Sequence, residues 1–126
     1  MNSAPLTSTQ SERLRSGIAL FNRGEFFECH EVLEAVWLEV SGEDKIFLQG
    51  LIQVAVSFYH LRQGNFSGSS RLLRAGVEKL STCAASQQPI DLPAMLQQLE
   101  PLPERIEKGQ ASPETPAPEI LWRAAP

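Results

Sequence analysis

Apolar residues along most of this chain recur every three or four positions, which is the spacing of a helix with one buried face. In the first such segment, Leu14, Ile18 and Phe21 follow this spacing. β-branched residues never alternate with polar ones for long, so no strand pattern competes. Glycine, proline and short polar stretches divide the pattern into five predicted helices. These are residues 8–24 (N-cap Ser8 or Thr9, stop at Gly24), 25–40, 43–63, 67–83, and a helix capped by Asp91 that ends near Pro101.

The predicted fold class is all-α, a single small bundle of about five antiparallel helices with a Pro-rich C-terminal tail. The connections are short, which favours antiparallel neighbours, and 126 residues is the length of one domain. We expect residues 1–7 to be a flexible tail, residues 8–108 the helical bundle domain, and residues 109–126 a Pro/Ala-rich tail. Three apolar residues of the second tail are candidates to dock on the bundle: Ile120, Leu121 and Trp122.

Composition and charge narrow the class of protein. A hydrophobic content of 42% and a charged content of 21% are typical of a soluble globular protein. The net charge of −4 argues against general binding to nucleic acid or to an anionic membrane, which depends on clustered Lys and Arg. Arg71, Arg74 and Lys79 do cluster, but Glu78 interrupts them, so a solvated helix face is predicted.

The two cysteines and the chain start predict a compartment. Cys29 and Cys83 lie far apart within apolar helical patterns, so buried reduced thiols are favoured over a disulfide. Residues 1–17 lack the basic start and apolar stretch of a signal peptide, and no segment is apolar enough to span a membrane. We therefore predict a cytoplasmic location.

The third predicted helix is apolar around most of its circumference, which is typical of a central helix. One narrow sector is polar, with Gln49, Gln53 and His60 stacked along one line at spacings of four and seven residues. Buried polar groups need partners, because each unpaired group costs on the order of 1–3 kcal/mol. Tyr59 and Trp37, by contrast, are expected to be core aromatics.

The second predicted helix supplies those partners. His30 lies beside its apolar face and Glu34 lies one turn further on, so the two side chains can approach one ligand together. If helices two and three pack antiparallel across the short SGED connection, His30 comes near Gln53 and Glu34 near Gln49. Glu31 then flanks the group, and His60 projects towards it from the far end of the third helix.

This set of residues resembles a catalytic metal shell. Two imidazoles and a carboxylate can hold one divalent metal ion and leave a position for water. The first functional interpretation is therefore a polar pocket between helices two and three that makes the protein a candidate divalent-metal-dependent hydrolase. His30, Glu34 and His60 are the candidate metal ligands, and Glu31 or Glu34 is the candidate catalytic base. Three further polar side chains are candidate substrate-binding groups: Gln49, Gln53 and Asn65. The stretch HEVLE is HExxE and not HExxH, so it carries the zinc-protease signature only in part.

Two other interpretations stay open at this stage. The polar stack can be an interhelical hydrogen-bond network that fixes helix register and binds nothing. It can also line a pocket for a small molecule or a protein partner. A homodimer is compatible with a small helical domain of this kind, and no nucleic-acid or membrane partner is expected.

Two stretches carry a resemblance to a known family. FNRGEFFECHEVLEAVW, followed by FLQGLIQVAVSFYHLRQGNFSGSSRLL, resembles the bacterial and archaeal family called domain of unknown function 309. Its pattern includes F-N-x-G, H-E-x-L-E-x-x-W, G-L-I-Q and H-x-x-x-G-N, and the match spans residues 21 to 80. Ser69 and Ser70 depart from it, since similar chains often have an Ala there.

The resemblance implies a small all-helical bundle, and members of the family are sometimes labelled predicted metal-dependent hydrolases. It places His30, Glu31, Glu34, Gln53 and His60 within the family signature.

Overall fold

A computed structural model describes residues 5–123 of the protein as six α-helices and one short 3-10 helix, which confirms the predicted all-α class. Residues 1–4, within the predicted tail 1–7, and residues 124–126 lie outside the described residues. The elements in chain order are α1 (Ser8–Asn22), α2 (Phe26–Trp37), α3 (Gly42–Arg62), α4 (Phe66–Ser81), the 3-10 helix (Ala85–Gln87), α5 (Leu92–Leu99) and α6 (Leu102–Glu107).

Helix ends follow local capping chemistry. Thr7, one residue before the predicted caps, forms a capping box with Gln10 at the start of α1. Gly24 and Gly64 have φ values of 78° and 77°, the left-handed conformation that glycine adopts without steric cost, and each lies just beyond a helix end. α2 ends at Trp37, three residues before the predicted Val40.

The sixth helix, α6, is absent from the predicted set. The sequence pattern predicted that the last helix ends near Pro101, but Pro101 is the N-cap of a further helix and Pro103 lies in its first turn. Proline is tolerated there because the first-turn N–H groups have no partner within the helix. Leu102 and Ile106 are buried, so tertiary packing stabilises this short helix.

α3 is the central helix of the fold, as predicted. It packs against α2 on one side and α4 on the other, while α1 packs on α2, and α5 and α6 pack on α4. Its core-facing side includes Leu51, Phe58 and Leu61, each at most 1% exposed. Phe58 stacks on Phe26 of α2 at a centroid distance of 5.5 Å, and Phe21 of α1 contacts both rings edge-on.

α3 and α4 approach closely because small residues line their contact. A Cβ added at Gly76 would lie 2.9 Å from the Gly50 carbonyl oxygen and 2.9 Å from the Val54 side chain. Ser57 donates a hydrogen bond of 2.8 Å to the Ser69 carbonyl oxygen, so its buried hydroxyl is paired. Ser69, one of the departures from the family pattern, thus lies within this contact.

The C-terminal tail docks on the bundle. Asn22 donates to the Ile120 carbonyl at 2.9 Å and accepts from the Ile120 N–H at 2.8 Å, and Ile120 is 4% exposed. Arg62 donates to the carbonyls of Pro113 and Thr115 at 2.9 and 2.8 Å. Burial lowers the pKa of the Arg62 guanidinium from its usual range. Leu121 and Trp122, the other docking candidates, keep about half of their surface exposed.

Both cysteines are buried free thiols, as predicted. Burial raises the pKa of Cys29 to about 12 and also raises the pKa of Cys83, so both stay protonated at neutral pH. Within residues 5–123, no helix combines the length and the apolar character needed to cross a membrane. The cytoplasmic location stays a prediction.

Candidate functional site: the outer face of α3

Two contacts fix how α2 lies along α3. The rings of Phe27 and Tyr59 are 5.6 Å apart at one end, and the Lys45 ammonium lies 4.2 Å from the centre of the Trp37 ring at the other. The helices are therefore antiparallel, and a regular rise places Glu34 near the level of Gln49. His30 then lies at the level of residues 53–56, consistent with the predicted pairing.

Between α2 and α4, α3 presents a partly exposed strip that we call the outer stripe. Its members follow each other at alternating spacings of three and four residues, which places them on one side of the helix. Four of the six are half-buried, and the two end members are exposed. The outer stripe consists of Ile46, Gln49, Gln53, Val56, His60 and Gln63.

His30 makes its polar contacts within its own helix. Its Nδ1 lies 3.2 Å from the Phe27 carbonyl oxygen, which can only accept, so Nδ1–H is the donor in that contact. Its Nε2 lies 3.5 Å from a carboxylate oxygen of Glu34, one turn further on. The structure thus brings His30 and Glu34 together, as predicted from their spacing, while Glu34 stays half exposed.

His60 is held by Asn65 in the turn between α3 and α4. The Asn65 side-chain amide lies 3.2 Å from His60 Nδ1, while its carbonyl oxygen accepts the Gly68 N–H at 3.0 Å. Asn65 is therefore the N-cap of α4 and the partner of His60 at once. Both its polar atoms are engaged by the protein, and its predicted substrate-binding role stays a prediction.

The two histidines stand at opposite ends of a row of four rings, His30, Phe27, Tyr59 and His60, which we call the ring row. Successive ring centroids are 5.4, 5.6 and 6.0 Å apart. Two aromatic side chains thus lie between the imidazoles. Within residues 5–123 no three His, Cys, Asp or Glu side chains are grouped so that they could hold a metal ion. Among the described residues, His30, Glu34 and His60 are not grouped as a metal shell, and their metal-binding role stays a prediction.

The interhelical hydrogen-bond network is not formed either. Across the described part of the chain, the bonds of His30 stay within α2 and His60 bonds only to the adjoining turn. The Gln53 side-chain oxygen is buried without a hydrogen-bond partner, and so is the Trp37 indole nitrogen. A buried acceptor without a hydrogen-bond partner costs free energy. Within residues 5–123, no donor reaches the Gln53 oxygen to offset that cost.

Exposed aromatic surface is the feature of this face that the sequence analysis missed. Tyr59 was expected in the core but is 36% exposed, and Phe27 is 45% exposed. Trp37, also expected in the core, is half-buried. One signal was available in the sequence: on a helical wheel Tyr59 lies beside the polar sector, away from Phe58 and Leu61.

The two sides of the outer stripe differ in charge. On α2 the exposed residues next to the stripe include Glu31 and Glu34, and from Gly24 to Asp44 the chain contains no Lys or Arg. On α4 the corresponding charges are Arg71 and Lys79, with Glu78 beside them, while Arg74 turns away to pair with Glu107 of α6. The catalytic roles predicted for Glu31 and Glu34 stay predictions, as do the substrate-binding roles of Gln49 and Gln53.

Together, the fold and this face define a small all-α domain with a polar and aromatic strip along its central helix. Residues 14–72 match the model of the family described as domain of unknown function (DUF309). Residues 14–72 therefore belong to this family, as the resemblance implied.

Two relatives show how far the likeness extends. The uncharacterized protein YpuF of Bacillus subtilis (strain 168) is 34% identical over 90 residues, which is 69% of this chain and 52% of YpuF. An uncharacterized protein of Aquifex aeolicus (strain VF5) is 28% identical over 86 residues, which is 68% of this chain and 26% of that protein. The chain therefore spans about half the length of one relative and about a quarter of the other.

Proposed function

We propose that this protein is a non-enzymatic helical interaction module that binds a protein partner through the outer stripe and the ring row. The observation that carries the proposal is the exposure of Phe27 and Tyr59, side by side, between the two histidines of the family signature. Aromatic side chains that a fold leaves exposed together are enriched at protein interfaces, where they supply much of the binding free energy.

The unpaired oxygen of Gln53 supports the same function. It lies in the middle of the outer stripe and has no donor within the described residues. A rotation of the Gln53 side chain would bring this buried oxygen to the surface, where an N–H of a partner that lies along α3 would remove the cost of the unpaired acceptor. The surrounding polar side chains, His60 and Gln49 among them, would form hydrogen bonds that fix the orientation of the partner.

A divalent-metal-dependent hydrolase, the first interpretation of the sequence, lacks comparable support. The rings of Phe27 and Tyr59 lie between His60 and the contacting pair of His30 and Glu34. Elemental analysis of untagged protein, before and after metal is added back, tests it directly. About one equivalent of zinc, iron or manganese that disappears in the double variant His30→Ala, His60→Ala would overturn our proposal in favour of a metal site.

Site-specific photocrosslinking tests the interaction module. A photoreactive residue is placed at Phe27, or at Leu121 on the tail, which has a similar exposed fraction of 48%. We expect a discrete protein adduct in cells from position 27 and none from position 121, and we expect Tyr59→Ser in the same chain to abolish it. Equal labelling at both positions, or labelling that Tyr59→Ser leaves unchanged, would contradict the proposal.

A further inference from the structure

We infer that the partner bound by this face is a second copy of the same chain, with the two α3 helices side by side and parallel about a twofold axis. This inference rests on the proposed function and adds the identity of the partner. Three independent features of the face carry it: the spacing of the outer stripe, the chemistry of Gln53, and the placement of charge on the two sides.

The outer stripe has the spacing of a helix–helix seam. Its six residues follow intervals of three, four, three, four and three, which is the alternation that keeps one line of side chains facing a partner helix. Ile46 and Val56 supply apolar contact within it, and Ile46 is 44% exposed in the single chain. A stripe of this length fits one other helix of similar length, and α3 itself meets that requirement.

Gln53 is complementary to itself. A glutamine side chain carries one acceptor and two donors, so two copies placed opposite one another can exchange hydrogen bonds. In a parallel twofold arrangement each residue of the seam meets its own counterpart. The two Gln53 amides can then exchange hydrogen bonds once a side-chain rotation turns the oxygen, which is buried and unpaired in the single chain, towards the other copy.

The charges on the two sides become complementary after the same rotation. A twofold axis parallel to α3 brings α2 of one copy against α4 of the other. α2 presents Glu31 and Glu34 without a Lys or Arg, whereas α4 presents Arg71 and Lys79 with the single acid Glu78, so its charge there is net positive. An axis perpendicular to α3 would instead oppose α2 to α2, acid to acid, which electrostatics disfavours.

The heights of these charges along α3 also agree. α4 runs antiparallel to α3, with Ser69 opposite Ser57 and Gly76 opposite Gly50. This register sets Arg71 near the level of residue 55 and Lys79 near residue 47.

The register of α2 sets Glu31 near residue 53 and Glu34 near residue 49. With about 1.5 Å of rise per residue, each acid lies within about 3 Å, along the axis, of one base of the other copy. Arg71 thus pairs with Glu31, and Lys79 pairs with Glu34.

Sedimentation velocity on the full chain and on two charge-reversal variants tests the inference. The chain mass is 13.9 kDa, and we expect the wild type to sediment at twice that mass at micromolar concentration. The first variant is Glu31→Lys with Glu34→Lys, and the second is Arg71→Glu with Lys79→Glu. Each variant alone places like charges opposite one another on both sides of the axis, so we expect its self-association to weaken by more than about tenfold.

A mixture of the two variants gives the decisive result. In a heterodimer the reversed α2 of one chain faces the reversed α4 of the other, and the two unchanged helices face each other, so every pair is again opposite in charge. We expect the mixture to recover the dimer mass. The reversal Glu104→Lys with Lys108→Glu, an ion pair between α6 and its C-cap residue, is the matched control and should leave association unchanged.

Each other outcome has a defined meaning. A wild type that is monomeric at these concentrations, or a mixture that stays monomeric while the wild type dimerises, would overturn the inference. A monomeric wild type that still gives a heterologous adduct from position 27 would leave the proposed interaction module standing with a different partner. A monomer without any position-27 adduct would remove both.

Discussion

At the scale of single residues, two asparagines of the family signature bind the protein's own backbone. Asn65 caps α4 through its side-chain oxygen, and Asn22 makes two hydrogen bonds to Ile120 in the tail. Gln53 differs, because its oxygen is buried without a partner in the described structure. Signature residues in this chain therefore divide into those that the fold uses and those, such as Gln53, that our proposal assigns to a partner.

The cap at Asn65 gives a prediction that separates these roles. Asn65→Ala removes the acceptor of the Gly68 N–H, and the loss of such a cap lowers the free energy of unfolding by about 1 kcal/mol. Asn65→Asp keeps the acceptor and should retain most of the stability, although it cannot donate to His60. Urea denaturation monitored by circular dichroism measures both. Equal losses in the two variants would show that the bond to His60, and not the cap, is what stabilises the turn.

At the scale of elements, the contact between α3 and α4 determines the geometry of the outer face. Gly50 and Gly76 let the two backbones approach, and the Ser57–Ser69 hydrogen bonds hold the register. Because α4 covers one side of α3 and α2 covers the other, the outer stripe stays partly exposed between them. Changes in this contact would therefore shift the position of Arg71 and Lys79 relative to α3.

Gly76→Ala tests how tight this contact is. The added Cβ meets the Gly50 carbonyl oxygen, a backbone atom that cannot rotate away. We expect overpacking to lower the free energy of unfolding by about 1–3 kcal/mol. About 1 kcal/mol of this loss is offset because alanine favours a helix more than glycine does. A net loss of stability in thermal unfolding is the predicted result. Ser67→Ala, at an exposed position of the same helix, is the control and should stay close to the wild type. A more stable Gly76→Ala variant would show that the helices can separate at little cost.

At the scale of the whole molecule, the C-terminal tail joins parts of the chain that are far apart in sequence. It bonds to Asn22 at the end of α1 and to Arg62 at the end of α3, and Trp122 forms an antiparallel bridge with Ile90 before α5. The buried side chain of Ile120 adds hydrophobic stabilisation to these bonds. Within the described residues, these contacts of the tail involve no member of the outer stripe.

Asn22→Ala should detach the tail from α1. The substitution leaves the Ile120 N–H and carbonyl without their partners, so we expect a loss of about 1–3 kcal/mol in the free energy of unfolding. Limited proteolysis should also cut residues 110–122 faster than in the wild type. Arg23→Ala, which removes an exposed ion pair with Glu25, is the matched control, with an expected change below about 1 kcal/mol. An unchanged proteolysis rate would show that Asn22 does not hold the tail.

The candidate site was predictable where it depends on one helix. The contact between His30 and Glu34 follows from their spacing of four residues, and the structure places them 3.5 Å apart. The position of His60 was not predictable in the same way. Its distance from His30 depends on the rings of Phe27 and Tyr59, which come from two helices, and on the Asn65 bond after the turn.

The sequence by itself determined the all-α class, the positions of the five longer helices and the central place of α3. Periodicity, caps and glycine stops act within a few residues, so their consequences can be derived from local pattern. Only the tertiary structure decided that α6 forms after Pro101, that the tail docks through Ile120, and that the stripe around Gln53 faces outward. Each of these depends on contacts between residues distant in the chain, such as Asn22 and Ile120, whose free energy outweighs local preference.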